Sequence, residues 1–301
     1  MAIRNIWKVK TGSWILEAFD ISLPKVVTSV YEGKGSPNSL DEITRIVAGK
    51  KHVEFGFSTF LKRLGSEGSL EPISDIILSA GFKLTQEDSD SDGTNDTFIY
   101  TPIDLTDSQT LPTFELMADT GYYIRIVDCV VKEMKISFKA GEPAIITFSF
   151  VGALDMESLT GTVTGNYDNK DIFKVSSLTL GSDVPQNFET FELTITNTVA
   201  ERIDPSSENV ITGFIITKRN IEASIDPELA NLYNVEQVLT NFSMQAGTTD
   251  DKVIIKGNNV VVKERELGNR NDLITSPLKL VFLPSLIGAN DSIEITFVKK
   301  L

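Results

Sequence analysis

Thiol and imidazole chemistry are almost missing from this chain. Its 301 residues include one cysteine, Cys129, and one histidine, His52. A lone cysteine rules out an internal disulfide and any cysteine-ligated metal cluster. A lone histidine rules out two-histidine metal sites and leaves a Ser–His–Asp triad without support. Cys129 falls on an expected strand and reads as packing; His52, in a polar stretch between Lys51 and Val53, reads as exposed. Bases are also short: 28 Lys and Arg stand against 42 Asp and Glu, a formal net charge of −14. Gripping nucleic acid requires clustered cations against phosphates, so the acid excess is read as solubility. No apolar run approaches the ~18 residues of a membrane span. Met1–Lys8 has no apolar leader core, so a soluble protein kept in a cytoplasm until assembly is expected. Neither a phosphate loop of the Gly-Lys-Ser/Thr kind nor a Gly-x-Gly-x-x-Gly after a strand occurs.

What the chain does have is alternation. From Ile124 the even positions read Ile124, Ile126, Asp128, Val130, Lys132, Met134, Ile136 and Phe138. After Ala140-Gly141-Glu142-Pro143 they resume as Ala144, Ile146, Phe148 and Phe150. Period two broken by a Gly-Pro turn predicts a long β-hairpin over Tyr122–Gly152 with one apolar face. Such a hairpin is stable only within a larger sheet.

Strands are also expected at Ile3–Lys10 and Val26–Glu32. Between Gly33 and Gly68 the residues turn small and polar. There Ser39-Leu40-Asp41-Glu42 reads as a capping box, with Ile43, Ile46 and Val47 on one helical face and Gly49 as the stop. Phe55, Phe57, Phe60 and Leu61 follow, either buried under the sheet or carried on an arm to a neighbouring subunit. Glu71–Gly81 is the cleanest helix, with Pro72 at its first position and Gly81 at its end. Strands at Gly81–Thr85 and Thr97–Thr101 precede the hairpin.

Asp155–Asp171 lacks apolar periodicity and reads as a linker. The pattern then restarts. Phe191, Leu193 and Ile195 alternate with polar residues, and Val210–Ile225 is another long strand. Asp226-Pro227-Glu228 reads as the cap of a helix reaching Phe242, with Val235 and Val238 on its buried stripe. Gly257-Asn258-Asn259, flanked by Val253–Ile255 and Val260–Val262, reads as a hairpin. Strands at Leu278–Leu283 and Ser292–Lys299 come last. The expected class is mainly β (α+β), in two domains that each carry a flanking helix.

One cluster points to chemistry. In Asp88-Ser89-Asp90-Ser91-Asp92-Gly93-Thr94-Asn95-Asp96, alternating acids followed by glycine gather oxygens in one loop, as calcium requires. The candidate ligands are Asp88, Asp90, Asp92 and Asp96. Against this, Ile99 stands where an EF-hand needs a bidentate Glu, and strands rather than helices flank the loop. The other reading is a solvated acidic turn. Acid pairs suited to glycoside hydrolysis do not stand out. Lys50-Lys51 and Lys62-Arg63 read as solvated, or as partners for acids on another subunit.

The order of these pieces resembles the tail tube (major tail) proteins of long-tailed bacteriophages. The matching segments are Pro72–Phe82 with its Ala80-Gly81-Phe82 end, the strand reaching Tyr100-Thr101-Pro102, and Val127–Gly152 with its Phe148-Ser149-Phe150-Val151-Gly152 close. In the second half they are Phe191–Val199 and Arg202–Glu228, the latter including Lys218-Arg219 and Ile225-Asp226-Pro227-Glu228. The resemblance covers the larger part of the chain.

It implies a non-enzymatic virion protein with two tube-type β-sandwich or barrel domains, 1–158 with an inserted arm at about 33–70, and 159–301 beginning with the linker. It also implies that copies close into rings, three per ring favoured over six, which stack into a tube for genome delivery. Implied partners are the chain itself, tail tip or initiator and terminator proteins, and a tape measure protein and DNA that pass through the lumen unbound. No membrane is implied. The expected location is the virion tail, after assembly in the host cytoplasm. No cofactor is expected apart from the calcium loop. The competing functional reading is a two-domain calcium-dependent carbohydrate-binding or adhesion module, with a glycoside hydrolase and the tube of a contractile particle behind it.

Overall fold

The computed structural model describes residues 8–34, 43–62, 72–89, 95–104, 107–118, 121–158, 160–167, 172–173, 175–179, 187–203, 211–228, 233–248, 250–270, 272–286 and 289–299. Among them are β1 (Lys8–Thr11), β2 (Trp14–Leu16), β3 (Ala18–Lys34), β4 (Ile43–Phe60) and the helix α1 (Ile73–Ser79). β5 (Phe82–Glu87), β6 (Thr97–Pro102) and β7 (Phe114–Met117) lead to the long pair β8 (Tyr123–Lys139) and β9 (Ile145–Ser158). Then come β10 (Asn166–Tyr167), β11 (Val175–Thr179) and a second long pair, β12 (Phe188–Ile203) and β13 (Ile211–Pro227). β14 (Val238–Leu239), β15 (Phe242–Gly247), β16 (Asp251–Gly257) and β17 (Val260–Arg265) follow. The series finishes with β18 (Gly268–Arg270), β19 (Leu273–Thr275), β20 (Leu278–Phe282) and β21 (Glu294–Lys299). The protein is mainly β.

Two sheets face each other. The larger is centred on β8, which pairs with β9 along one edge and shares its other edge between β7 and β12. The smaller runs β11-β15-β16-β21-β6-β5. One apolar core fills the space between them. Phe242 of the small sheet lies 6.0 Å from Phe191 and 5.0 Å from Phe282 of the large one, ring to ring. Residues 1–158 and 159–301 are joined through both sheets, by β8 against β12 and by β6 against β21. Residues 160–167 run along β2: β10 pairs with it in parallel, and Val163 is buried.

Within the large sheet, eight strands lie side by side as β3-β4-β9-β8-β12-β13-β20-β17. All seven contacts are antiparallel. One register row crosses all eight: Ala18, Thr59, Ile146, Ile136, Leu193, Ala223, Leu280, Val262. Ala18 packs partly buried against the core, and the other seven are buried. The first four strands take the spatial order first, second, fourth, third of their chain order, and so do the last four. In both sets a hairpin is sent into the small sheet between the second and third strands: β5/β6 in one, β15/β16 in the other.

The expected organising hairpin is present and longer than its pattern suggested. Bulges between Val127 and Val130 and between Val131 and Glu133 shift its alternation. Cys129 and Val131 therefore join the main core, while Val130 faces a second cluster with Val151, Ile211 and Phe214. Extra residues in one strand change which face a side chain takes. The helix expected over Glu71–Gly81 is found as α1, Ile73–Ser79, with Pro72 as its N-cap instead of its first helical residue; Glu71 lies outside the described residues. The end of the helix is held by Gly81 at φ +83, where an added Cβ would run into the Arg219 guanidinium.

Three expectations are corrected. Ile43–Gly49 belongs to β4 and pairs with β3, Tyr31 opposite Val47 and Lys34 opposite Ile43. Its β-branched residues favour a pleated strand over a helix, and Ser39–Glu42 lies outside the described residues. The stretch from Asp226 is strand and turn wherever it is described, so the second flanking helix is not found there. Asp226 is the penultimate residue of β13, and its Oδ1 accepts from the backbone N–H of Glu189 and Thr190 on the neighbouring strand instead of capping a helix. Gly257-Asn258-Asn259 is a crossing between sheets, since β16 pairs with β15 and β21 whereas β17 pairs with β20 and β14. Alternation is the same in a hairpin and in a corner whose two arms both face the core.

Candidate assembly interface

The eight-strand run has two faces. One lies on the core. The other follows the row Phe19, Ser58, Thr147, Lys135, Thr194, Glu222, Val281, Val261. Several of its charges pair within the chain. Lys135 reaches Glu192 at 2.7 Å across the β8–β12 contact, and Lys263 reaches Glu222 at 2.8 Å across β20. Farther along, Lys132 meets Glu54 at 2.7 Å. The Lys132 hydrogen bond holds the Glu54 carboxyl below its usual range, and the Lys263 hydrogen bond does the same for Glu222.

The ends of the run are different in kind. β3 has no partner on its outer edge among the described residues, and it exposes Leu23 and Val26. The opposite end is closed by the two residues of β14, which pair with Val260 and Val261. Val238 of β14 and Val235, which precedes that strand, are exposed. The helix reading had buried both.

Beyond Val53, β4 loses contact with β9 and pairs only with β3. The two strands continue from there as a ribbon, 26–34 against 43–53. Two-stranded ribbons are weak alone, which suits a segment that is completed by a neighbour.

The halves are fastened at the end of α1. Asn197 Nδ2 on β12 donates to Ala80 O at 3.0 Å and to Val131 O at 2.9 Å. Arg219 on β13 donates to Gly81 O and lies 5.1 Å over the Phe82 ring. Burial lowers the Arg219 guanidinium to about 10, since desolvation disfavours its charge. A cation at a helix C-terminus meets the negative end of its dipole. Sequence reasoning missed both residues, because the contact joins positions more than 100 residues apart.

A family model described as phage tail tube protein matches residues 19–297. The chain belongs to the phage tail tube protein family. Among curated proteins none matches it. It is accordingly a structural component of a virion tail that assembles into the tube with other tail proteins.

Several expected positions in this tail tube protein sit differently from their sequence reading. Phe55 and Phe57 are core residues, their rings 4.9 Å and 5.5 Å from Phe150, so they are not anchors for another subunit. His52 is only 17% exposed, with Nδ1 3.6 Å from Glu201 Oε1 and its ring edge-on to Phe214. Lys50 also binds Glu201, at 2.8 Å, and the buried Lys62 reaches Glu17 at 2.9 Å. These two lysines are committed within their own subunit; Arg63 lies outside the described residues.

In the acidic loop, Asp90 and Asp92 lie outside the described residues and Asp88 is half-buried. Asp96 is buried. Its Oδ1 accepts from Ser89 N and Thr97 Oγ1, and its Oδ2 from Ser89 Oγ at 2.7 Å. Among the described residues no three metal-ligating side chains gather.

Proposed function

We propose that three copies of this tail tube protein close into a ring and that rings stack into a conduit for the phage genome. The observation behind this is the doubled strand order of the large sheet. Each four-strand set, one in 1–158 and one in 159–301, acts as one tube domain, so three chains supply six sets around the lumen with pseudo-sixfold symmetry. The face with self-paired charges lines the channel. It offers few unpaired cations to phosphate, so a duplex passes without being held.

The β3/β4 ribbon bridges to the next ring. Because Phe55 and Phe57 belong to the core, removing all of 33–68 would unfold the subunit; the informative change is to shorten the ribbon beyond Val30 and Ala48. Tail tip or initiator proteins start the tube, a terminator ends it, and a tape measure protein occupies the lumen before DNA. Assembly takes place in the host cytoplasm. Negative-stain imaging of concentrated protein tests the proposal: hollow tubes with a regular axial repeat are expected, and dispersed compact particles at every concentration would refute it.

A further inference from the structure

Both four-strand sets begin with a hairpin that outruns the large sheet, and both outrun it at the same end. One register row, Gly56, Ser149, Glu133, Thr196 and Asn220, lies just inside both departures. Beyond it β12 and β13 lose β8 and β20 and pair only with each other, from Asn197 opposite Arg219 to Ile203 opposite Ile211. In topology this second ribbon is the equivalent of the β3/β4 ribbon. Its packing is not. β4 and β12 are separated by β9 and β8, so they stand three strand spacings apart, or about 14 Å. Glu201 on β12 nevertheless reaches Lys50 at 2.8 Å and His52 at 3.6 Å, both at the root of the first ribbon. The second ribbon therefore leans across β8 and β9. Apolar side chains fill the lean: Ile211 and Phe214 are buried against Val130 and Val151. Bulges on either side of Val130 turn it from the main core toward this ribbon. Phe214 also stands edge-on to the His52 ring, 6.2 Å away.

We propose that the β12/β13 ribbon is a buttress that sets the direction of the β3/β4 ribbon and makes no bridge of its own to the next ring. A two-stranded ribbon has little stability alone. Gripping its root at Lys50 and His52 fixes the angle at which it leaves the sheet. Ile211 and Phe214 are spent on Val130 and Val151, so they are not free to meet another subunit. This rests on the ring reading above and adds an asymmetry to it. Strand sets repeat six times around the lumen, whereas successive rings are joined by three ribbons, one from each chain.

Hydrogen exchange on the full-length subunit tests the grip. In Glu201→Gln the amides of 43–50 are expected to exchange up to about fivefold faster, as loss of a partly exposed ion pair allows. Those of β8 and β9 keep the parental rate. Exchanging the charges, Lys50→Glu with Glu201→Lys, brings 43–50 back to the parental rate. An unchanged rate in Glu201→Gln, or a charge exchange that restores nothing, would overturn the buttress. In electron micrographs of parental tubes three bridges between successive rings are expected, and six equal ones would overturn it too. A parent that forms no tubes would remove the ring reading and the count of bridges, while the exchange rates still decide the grip.

Discussion

The two four-strand sets share an order and little else. The first is built on phenylalanine: Phe55, Phe57, Phe148 and Phe150 interlock, and Phe114 from β7 lies 4.8 Å from Phe150. The second relies on Leu193, Ile195, Ile221, Ile225, Leu280 and Val262 across its buried face. Strand length differs as well, with 17 and 14 residues in β8 and β9 against 6 and 5 in β17 and β20. The difference teaches that alternation and register specify this arrangement, while residue identity is free to drift. The two halves therefore repeat in topology without repeating in sequence.

If the aromatic set is the more tightly interlocked, truncating it costs most. Phe150→Ala is expected to destabilise the subunit by about 3–5 kcal/mol, and Leu280→Ala in the second set by roughly 2–5 kcal/mol. Denaturant midpoints measure both, and a Leu280 loss exceeding that of Phe150 would reverse the ranking. Next comes the fastening between the sets. Asn197→Ala leaves Ala80 O and Val131 O without that donor and is expected to cost about 1–3 kcal/mol. A midpoint that does not move would mean that β12 holds α1 without the amide.

The surface acids follow. Glu54 and Glu222 have carboxyl pKa values lowered in the fold, so the stability they add is present above about pH 4.3, the ordinary glutamate value. It is lost as pH falls through their folded values. Both are partly exposed and screened by salt, so the melting temperature should decline only modestly on acidification, and less in high salt. An acid decline that salt leaves unchanged would argue against these pairs. The smallest effect on stability belongs to the ribbon. Replacing residues 31–47 with an Asn-Gly turn should leave the melting temperature unchanged while rings no longer stack, as electron microscopy would reveal. Full-length tubes from that variant would remove the ribbon from assembly.

Much of the fold could be read from local pattern, because local pattern formed it. The β8/β9 hairpin and the helix α1 are specified by residues adjacent in sequence. Where local signals failed, a distant partner decided. Asp226-Pro227 has the composition of a helix start, yet Asp226 is spent on Glu189 and Thr190 and on Arg270, 2.9 Å away. Ile43–Gly49 carried a plausible helical stripe, but β3 was available to pair with it. The assembly surface was the least legible part. Leu23 sits in an ordinary strand pattern, and Val235 and Val238 fitted a buried helical stripe. Their exposure emerges only when the ends of the sheet are known.

The central claim is that one chain contributes two tube units and that three chains close the ring. Native mass spectrometry of the smallest closed assembly tests this most directly. The account predicts three times the 33.1 kDa chain mass, and a ring of six chains would contradict it.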